Sequence, residues 1–149
     1  MPSHSEIRPS PYSPQQLFDM VIDIERYPQF LPWCRAARIV DRAEHSFLGE
    51  LIISFKHITE SYTSRVTPQR GNAPEIHVEM VRGPFKHLSN HWRFEPRADG
   101  GTDIDFHIDF QFKVKLLESI IGGLFHRAAE KMVQAFSERA DRLYGWDTC

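Results

Sequence analysis

The sequence has little cysteine and no long apolar run. Its two cysteines, Cys34 and Cys149, lie far apart in a chain of 149 residues and form no CxxC pair. This excludes a disulfide framework and is typical of a reducing compartment. Residues 1–8 lack the basic and apolar regions of a signal peptide, and no apolar run has the length of a membrane span. We therefore expect a soluble, cytoplasmic protein.

The chain lacks the large excess of basic residues that many nucleic-acid-binding proteins have. Eighteen Lys and Arg residues stand against 20 Asp and Glu residues, which gives a net charge of −2. Without a basic surplus the chain has no overall attraction for a phosphate backbone, and we predict no DNA partner. A local basic cluster is nevertheless present at Arg35, Arg38 and Arg42.

Motifs of common catalytic and metal sites are absent. The sequence has no GxSxG, GxGxxG or P-loop pattern. None of its eight histidines belongs to an HExxH motif. At about 3.3 Å per residue, His87 and His91 would lie about 13 Å apart on one strand, and they could not bind the same metal ion. The carboxylates Asp103, Asp105 and Asp109 have the spacing of a solvated strand face. We therefore predict no catalytic residue, no metal ligand and no cofactor, and a protein that is not an enzyme.

Aromatic residues, by contrast, are abundant. The chain has 11 Phe, 4 Tyr and 3 Trp residues, and its 41% hydrophobic and 26% charged residues are typical of a globular protein. Its length is that of one domain that buries about two thirds of its unfolded surface. We predict a single domain over residues 1–149, with residues 145–149 as a frayed tail and a phenylalanine-rich interior.

Helices are predicted near both ends of the chain. A capping box at Ser13 and Gln16 opens a helix that we expect to end at Tyr27-Pro28, before one more short turn. From Leu116 to Tyr144, apolar residues recur in pairs at a spacing of four, which predicts one long amphipathic helix. Gly122-Gly123 interrupts this helix and is expected to weaken or kink it.

Strands are predicted between these helices. A short extended segment, Ser5–Arg8, precedes the first helix, and residues 35–114 alternate apolar and polar side chains between turn residues. The clearest strand runs from Ile104 to Val114, where every second residue is apolar. We therefore expect one face of this strand to be buried and the other to be exposed to solvent. Asp99-Gly100-Gly101 predicts the hairpin before it.

This order of elements predicts an α+β helix-grip fold. A curved antiparallel sheet of about six or seven strands would wrap around the long C-terminal helix, with two short helices after the first strand. A sheet that curves around a helix leaves space near the helix ends. Lined by Phe, Tyr, Trp and Met, that space would be an apolar ligand cavity.

Several segments carry a family resemblance. The residues 23–34 (DIERYPQFLPWC), Ser64-Arg65-Val66, Gly83-Pro84-Phe85 and residues 135–140 (AFSERA) resemble the coenzyme Q-binding START-like family. That family overlaps the ribosome-association toxin proteins within the polyketide cyclase/dehydrase superfamily. The resemblance runs from about Ser5 to Tyr144. It implies a START-like fold with a cavity for a hydrophobic ligand, in members that act as ubiquinone-binding chaperones for respiration or block ribosomal subunit association.

The predicted cavity residues are mostly aromatic. They are Phe30, Trp33, Tyr62, Met80, Phe85, Trp92, Phe106, Phe110, Ile120, Leu124, Phe125 and Met132. Tyr27-Pro28, Phe30, Pro32 and Trp33 are interpreted as an aromatic lip over the cavity, and the stripe around Gly122-Gly123 as a gate that contacts a membrane during ligand transfer. Ordinary core packing is the alternative for both groups.

Four polar residues are predicted to contact a ligand head group. Glu60, Ser64, Arg82 and Asn90 share a strand face with apolar neighbours, where unpaired polar groups are costly. The alternative is that they pair with one another or lie near strand ends.

These expectations lead to one preferred function and two alternatives. The preferred function is a carrier of an isoprenoid quinone such as ubiquinone, in peripheral contact with the inner face of the membrane. One alternative is a ribosome-directed protein that binds the large subunit through the basic cluster at Arg35, Arg38 and Arg42. The other is an enzyme similar to the polyketide cyclases and aromatases of the superfamily.

Overall fold

The computed structural model describes residues 3–31, 33–55, 58–83, 85–112 and 125–145. The elements are, in chain order, β1 (Ser3–Ser10), α1 (Pro14–Ile22), a 3₁₀ helix (Ile24–Gln29), β2 (Cys34–Arg42), β3 (Phe47–Phe55), β4 (Ile58–Gln69), β5 (Glu75–Arg82), β6 (Phe85–Pro96), β7 (Thr102–Phe112) and α2 (Phe125–Tyr144).

The seven strands of the described residues form one antiparallel sheet. Its strand order is β1-β7-β6-β5-β4-β3-β2, so that β2 to β7 are paired with their neighbours in sequence and β1 lies beside β7. The sheet is curved, and α2 packs on its apolar face. The predicted α+β helix-grip fold is confirmed, and the sheet has the larger of the two expected strand numbers.

The first helix begins where the sequence predicts. The Ser13 hydroxyl accepts a hydrogen bond from the Gln16 backbone N–H at 3.2 Å, and the Gln16 side chain accepts one from the Ser13 N–H at 3.0 Å. The predicted end at Tyr27-Pro28 is wrong for α1, because Asp23 leaves the helical conformation with a ψ of 70°. Tyr27-Pro28 lies instead in the 3₁₀ helix that follows.

The alternation along β7 is confirmed as far as Phe110. Ile104, Phe106 and Phe110 are buried on the inner face of the sheet, whereas Asp105 is exposed on the outer face. The hairpin before β7 is also confirmed. Gly100 has a φ of +89°, which favours glycine at this position.

The C-terminal helix covers the inner face of the sheet. Val133, Phe136 and Ala140 are buried against the core. At its C-terminal end, the Tyr144 hydroxyl donates a 2.9 Å hydrogen bond to the Gln16 carbonyl oxygen, which ties α2 to α1. The predicted helix is thus confirmed from Phe125 onward.

Other predictions fall outside the described residues. These are Pro32 of the predicted lip, residues 113–114 of the predicted strand, residues 116–124 of the predicted helix, which include the glycine pair, and residues 146–149 of the predicted tail. Among the described residues, no helix combines the length and the apolar character needed to cross a bilayer.

Candidate ligand-binding site

A cavity of about 90 Å³ lies between the inner face of the sheet, the segment from α1 to Trp33, and α2. Strands β3 to β7 contribute its floor, because alternate residues of each strand point inward. Its described lining consists of Val21, Ile24, Tyr27, Leu31, Trp33, Gly49, Leu51, Tyr62, Ser64, Val66, Ile76, Val78, Leu88, Asn90, Trp92, Ile108, Met132 and Phe136.

The lining is apolar and carries no formal charge. None of its described residues is Asp, Glu, Lys, Arg or His. A charged ligand placed here would lose its hydration without gaining a counter-charge, which is strongly unfavourable. The cavity is therefore suited to a neutral, largely apolar ligand.

Ser64 is the one buried side chain of the described residues whose polar atom has no hydrogen-bond partner. It is 5% exposed on β4, opposite Gly49 of β3 and Met80 of β5. A buried hydroxyl without a partner costs about 1–3 kcal/mol. Because Ser64 lines the cavity, its hydroxyl is placed to bind a polar group of a ligand.

Asn90 is the second buried polar residue of the lining. Its Nδ2 donates to the His107 carbonyl oxygen at 3.4 Å, a long hydrogen bond. One strand, β5, separates Asn90 from Ser64, so their backbones lie roughly 10 Å apart at about 4.8 Å per strand. The two residues therefore place hydrogen-bonding groups on opposite sides of the cavity floor.

Three titratable groups in and beside the cavity remain protonated at neutral pH. Burial is the main cause that raises the pKa of the Tyr27 and Tyr62 phenols. The Tyr27 hydroxyl also donates a short hydrogen bond to the Val21 carbonyl oxygen. Burial raises the pKa of the neighbouring Cys34 thiol to about 11. The hydrogen bond between this thiol and the Ala36 backbone acts in the opposite direction and is the smaller effect. Cys34 is therefore a protonated, unreactive thiol in the folded protein.

The structure brings six of the predicted site residues together at the cavity. They are Trp33, Tyr62, Trp92 and Met132 among the apolar residues, and Ser64 and Asn90 among the polar ones. Of the predicted lip, Tyr27 and Trp33 line the cavity, whereas Phe30 packs its ring edge against Phe136 at 5.2 Å.

Other predicted aromatic residues lie in the solid core instead. Phe85 and Phe110 pack against each other at 5.5 Å, in a second cluster with Ala129 that Met80 borders. Phe106 is fully buried beside Trp92. The rings of Phe85, Phe106 and Phe110 each lie against an aromatic neighbour, and neither they nor Met80 line the cavity.

Two predicted polar contacts do not reach the cavity. Glu60 and Arg82 are exposed, because both lie near the ends of their strands. A register shift between Thr63 and Ser64 pairs Arg82 with Thr63. Arg82 therefore does not occupy an inward-facing position of β5. Ile120, Leu124 and the side chain of Phe125 lie outside the described residues.

Most of the lining residues that the sequence did not predict are aliphatic. Val21 and Ile24 come from α1 and the 3₁₀ helix, and Val66, Ile76 and Val78 from the sheet. The period-two pattern predicts that the strand residues point inward. It does not distinguish those that face empty space from those that face another side chain, since only the packing of the helices decides this.

Gly49 also lines the cavity, although it is not among the predicted site residues. A Cβ atom there would lie 2.4 Å from Ile24 Cδ1. The glycine therefore makes room for the 3₁₀ helix over β3. Its place on an apolar strand face, between Phe47 and Leu51, is the signal for such a close approach.

Known proteins are similar to this chain over most of its length. Residues 10–137 match the family described as polyketide cyclase/dehydrase and lipid transport. The chain is 42% identical over 135 residues to the ribosome association toxin RatA of Rickettsia prowazekii, with 89% of this chain and 92% of that protein covered. It is 30% identical over 151 residues to the coenzyme Q-binding protein COQ10 homolog B, mitochondrial, of Xenopus laevis, with 95% of this chain and 59% of that protein covered.

The fold has a close counterpart among solved structures. A START superfamily protein from Mycobacterium smegmatis superposes with a TM-score of 0.78 at 17% identity, over 96% of this chain and 99% of that one. At this identity the likeness concerns the fold alone. Together these similarities confirm the family resemblance and the START-like form of the fold.

Proposed function

The chain belongs to the polyketide cyclase/dehydrase and lipid transport family, and from this premise we propose that it binds an isoprenoid quinone in the cavity and carries it between membrane and acceptor. The observation that carries the proposal is an uncharged, apolar cavity whose buried Ser64 hydroxyl has no partner in the described structure. A quinone is neutral, and its carbonyl oxygens accept hydrogen bonds. The name of the Xenopus relative, a coenzyme Q-binding protein, points to the same class of ligand.

The strength of binding depends on the surroundings from which the ligand comes. Moving one five-carbon isoprene unit out of water is worth about 4 kcal/mol at about 0.8 kcal/mol per CH₂. In a bilayer the isoprenoid tail is already out of water, so its transfer into the protein gains little hydrophobic free energy. Specificity must then come from the head group, and the protein exchanges quinone with the inner face of the membrane rather than storing it.

Ligand binding requires the cavity to widen. Its volume of about 90 Å³ is well below the roughly 300 Å³ at which small-molecule pockets begin. Met132 and Trp33 line the cavity and are only half-buried, so their side chains have room to turn outward. Met is the more adaptable of the two, because its unbranched side chain has three rotatable bonds.

We favour binding over catalysis. General acid–base chemistry uses His, Asp, Glu, Lys, Tyr or Cys with a pKa close to the working pH. The described lining has no His, carboxylate or Lys, and the phenols of Tyr27 and Tyr62 have pKa values raised away from neutrality. The cavity of a cyclase or aromatase would need such a group.

The direct test is a titration with a short-chain ubiquinone, followed by tryptophan fluorescence, because Trp33 and Trp92 line the cavity. The matched control ligand is an isoprenoid alcohol with the same tail and no quinone ring. We expect saturable quenching by the quinone and at least tenfold weaker binding of the alcohol. Absence of saturable quinone binding, together with no transfer of quinone between vesicles, would contradict the proposal.

Ser64→Ala is expected to change stability and affinity in opposite directions. Removal of the unpartnered hydroxyl should raise the free energy of unfolding of the empty protein by about 1 kcal/mol. The same change should weaken quinone binding about fivefold to tenfold, through the loss of one hydrogen bond. Urea denaturation and the fluorescence titration measure the two effects.

The control for this variant is Ser61→Ala, on the same strand but exposed. It should leave both quantities unchanged. A Ser64→Ala protein that is no more stable and binds quinone as tightly as the wild type would exclude the hydroxyl from the site.

A second candidate function is association with the large ribosomal subunit. The chain is 42% identical to a protein named ribosome association toxin. Arg35, Arg38 and Arg42 are exposed along β2, which is an edge of the sheet. An exposed basic edge of this kind can contact RNA phosphates, and such contacts weaken as salt rises.

The triple variant Arg35→Glu, Arg38→Glu, Arg42→Glu tests this candidate. If β2 contacts ribosomal RNA, the wild type should co-sediment with large subunits at low salt and dissociate at higher salt, and the triple variant should not co-sediment at all. Arg142→Glu, at an exposed position of α2, is the control and should behave as the wild type. Equal co-sedimentation of all three proteins would reject β2 as the contact.

A further inference from the structure

A histidine pair with a shared carboxylate lies on the outer face of the sheet, away from the cavity. The register of β5 and β6 places His77 directly opposite His91, and Glu75 lies two residues before His77 on the same face. The two imidazole rings are stacked, with centroids 4.2 Å apart and an interplanar angle of 16°. The spacing of histidines along a single strand does not reveal such a cross-strand pair.

The three side chains point their ligand atoms at one place. Glu75 Oε1 lies 2.7 Å from His91 Nε2 and 3.5 Å from His77 Nε2. One ligand atom from each residue lies within 4.8 Å of the other two, and no other such trio occurs in the described part of the chain. Ligands of a tetrahedral ion with bonds of about 2.1 Å lie about 3.4 Å apart, so small side-chain rotations would bring all three into range.

We propose that Glu75, His77 and His91 bind a divalent transition-metal ion, with Zn²⁺ as the best match. Two imidazole nitrogens and one carboxylate oxygen are the donor set of many three-ligand zinc sites, in which water completes the coordination. The side chains are 25%, 45% and 36% exposed for Glu75, His77 and His91, so an ion from solution can reach them.

The neighbouring side chains have contacts of their own, and the positive charge of Arg93 acts on Glu75 from the opposite strand. His107 is the cross-strand partner of His91 on β7, but it interacts with Ser5 and Asp109. Arg93, opposite Glu75, donates from Nε to Glu95 at 2.8 Å. The metal site therefore consists of the two histidines of β5 and β6 and the single carboxylate that both approach.

A bound ion would join β5 to β6 through their side chains. The described pairing of these strands runs only from Glu75 to Glu79, at one end of β5. The inner faces of the same strands carry Val78 and Asn90 of the cavity. The ion would thus hold together the two strands that form part of the cavity floor. The site does not depend on which ligand occupies the cavity.

The test is a calorimetric titration of untagged, chelator-treated full-length protein with ZnCl₂, supported by the visible absorption of bound Co²⁺. We expect one Zn²⁺ per chain, an increase in the melting temperature with Zn²⁺, and at least tenfold weaker binding in His77→Ala and His91→Ala. Glu75→Gln keeps the shape of the side chain and should also weaken binding, which covers the case in which a histidine variant folds poorly.

His87→Ala is the matched control. His87 is also an outer-face histidine of β6, with Nε2 2.6 Å from Asp109, but it lies outside the proposed site. Its removal should leave Zn²⁺ affinity unchanged. The proposal is overturned if the wild type binds no Zn²⁺ at millimolar concentration, or if folded His91→Ala and Glu75→Gln proteins bind it as tightly as the wild type.

Discussion

Val78→Phe is expected to reduce quinone affinity at least a hundredfold, about 2.7 kcal/mol, while the protein stays folded. Val78 lines the cavity from β5 and faces inward between Ile76 and Met80. A phenyl ring at this position would fill much of the existing cavity of about 90 Å³, which must widen before a ligand can enter. The fluorescence titration with short-chain ubiquinone measures the loss.

The folding cost of this variant is expected to be modest. Placing a larger side chain in a packed interior costs about 1–3 kcal/mol of folding free energy. Because the new ring can occupy the existing cavity, we expect a cost near the lower end of this range. Val81→Phe is the matched control, because Val81 lies on the same strand and is 54% exposed. It should bind quinone as the wild type does. A folded Val78→Phe protein with unchanged affinity would show that the ligand binds elsewhere.

Phe136→Ala is expected to produce the largest loss of stability. The Phe136 ring is 3% exposed and meets Tyr27, Phe30 and Trp92 with centroid distances of 5.1 to 5.3 Å. It therefore joins α2 to the 3₁₀ segment and to the sheet. Truncation of a buried Phe to Ala costs about 3–5 kcal/mol. In a chain of 149 residues this corresponds to a decrease in melting temperature of roughly 10–20 °C.

Leu143→Ala, on the same helix, is the control for this effect. Leu143 is 41% exposed, so its truncation should cost less than about 1 kcal/mol. Thermal and urea denaturation of the two variants measure the difference. A loss below about 1 kcal/mol in Phe136→Ala would mean that α2 does not depend on this contact with the core.

The elements of the fold could be predicted because their signals are local. The capping box at Ser13 and Gln16 needs only residues three apart, and the alternation of β7 needs only its own sequence. The end of α1 was harder, because Asp23 leaves the helix without a proline or glycine to mark the break. A 3₁₀ turn and an α-helical turn differ too little in sequence pattern for the boundary to be predicted.

The site could be predicted only in part, because a cavity is a property of the tertiary packing. The burial of Trp92 and Phe106 on neighbouring strands follows from the same alternation, yet Trp92 lines the cavity and Phe106 does not. Ser64 could be singled out as a polar residue on an apolar face. The lack of a hydrogen-bond partner for it is visible only in the structure. The pairing of His77 with His91 likewise depends on the register of β5 against β6.

If the cavity holds a quinone in the cell, that quinone should stay bound through mild purification. The most direct measurement is mass spectrometry of the lipids retained by the protein after mild purification from a quinone-producing host, with Val78→Phe purified in parallel. We predict isoprenoid quinone in the organic extract of the wild type and much less in that of the variant. A wild-type extract without quinone, from protein that also takes up none on addition, would mean that quinone is not the ligand of this cavity.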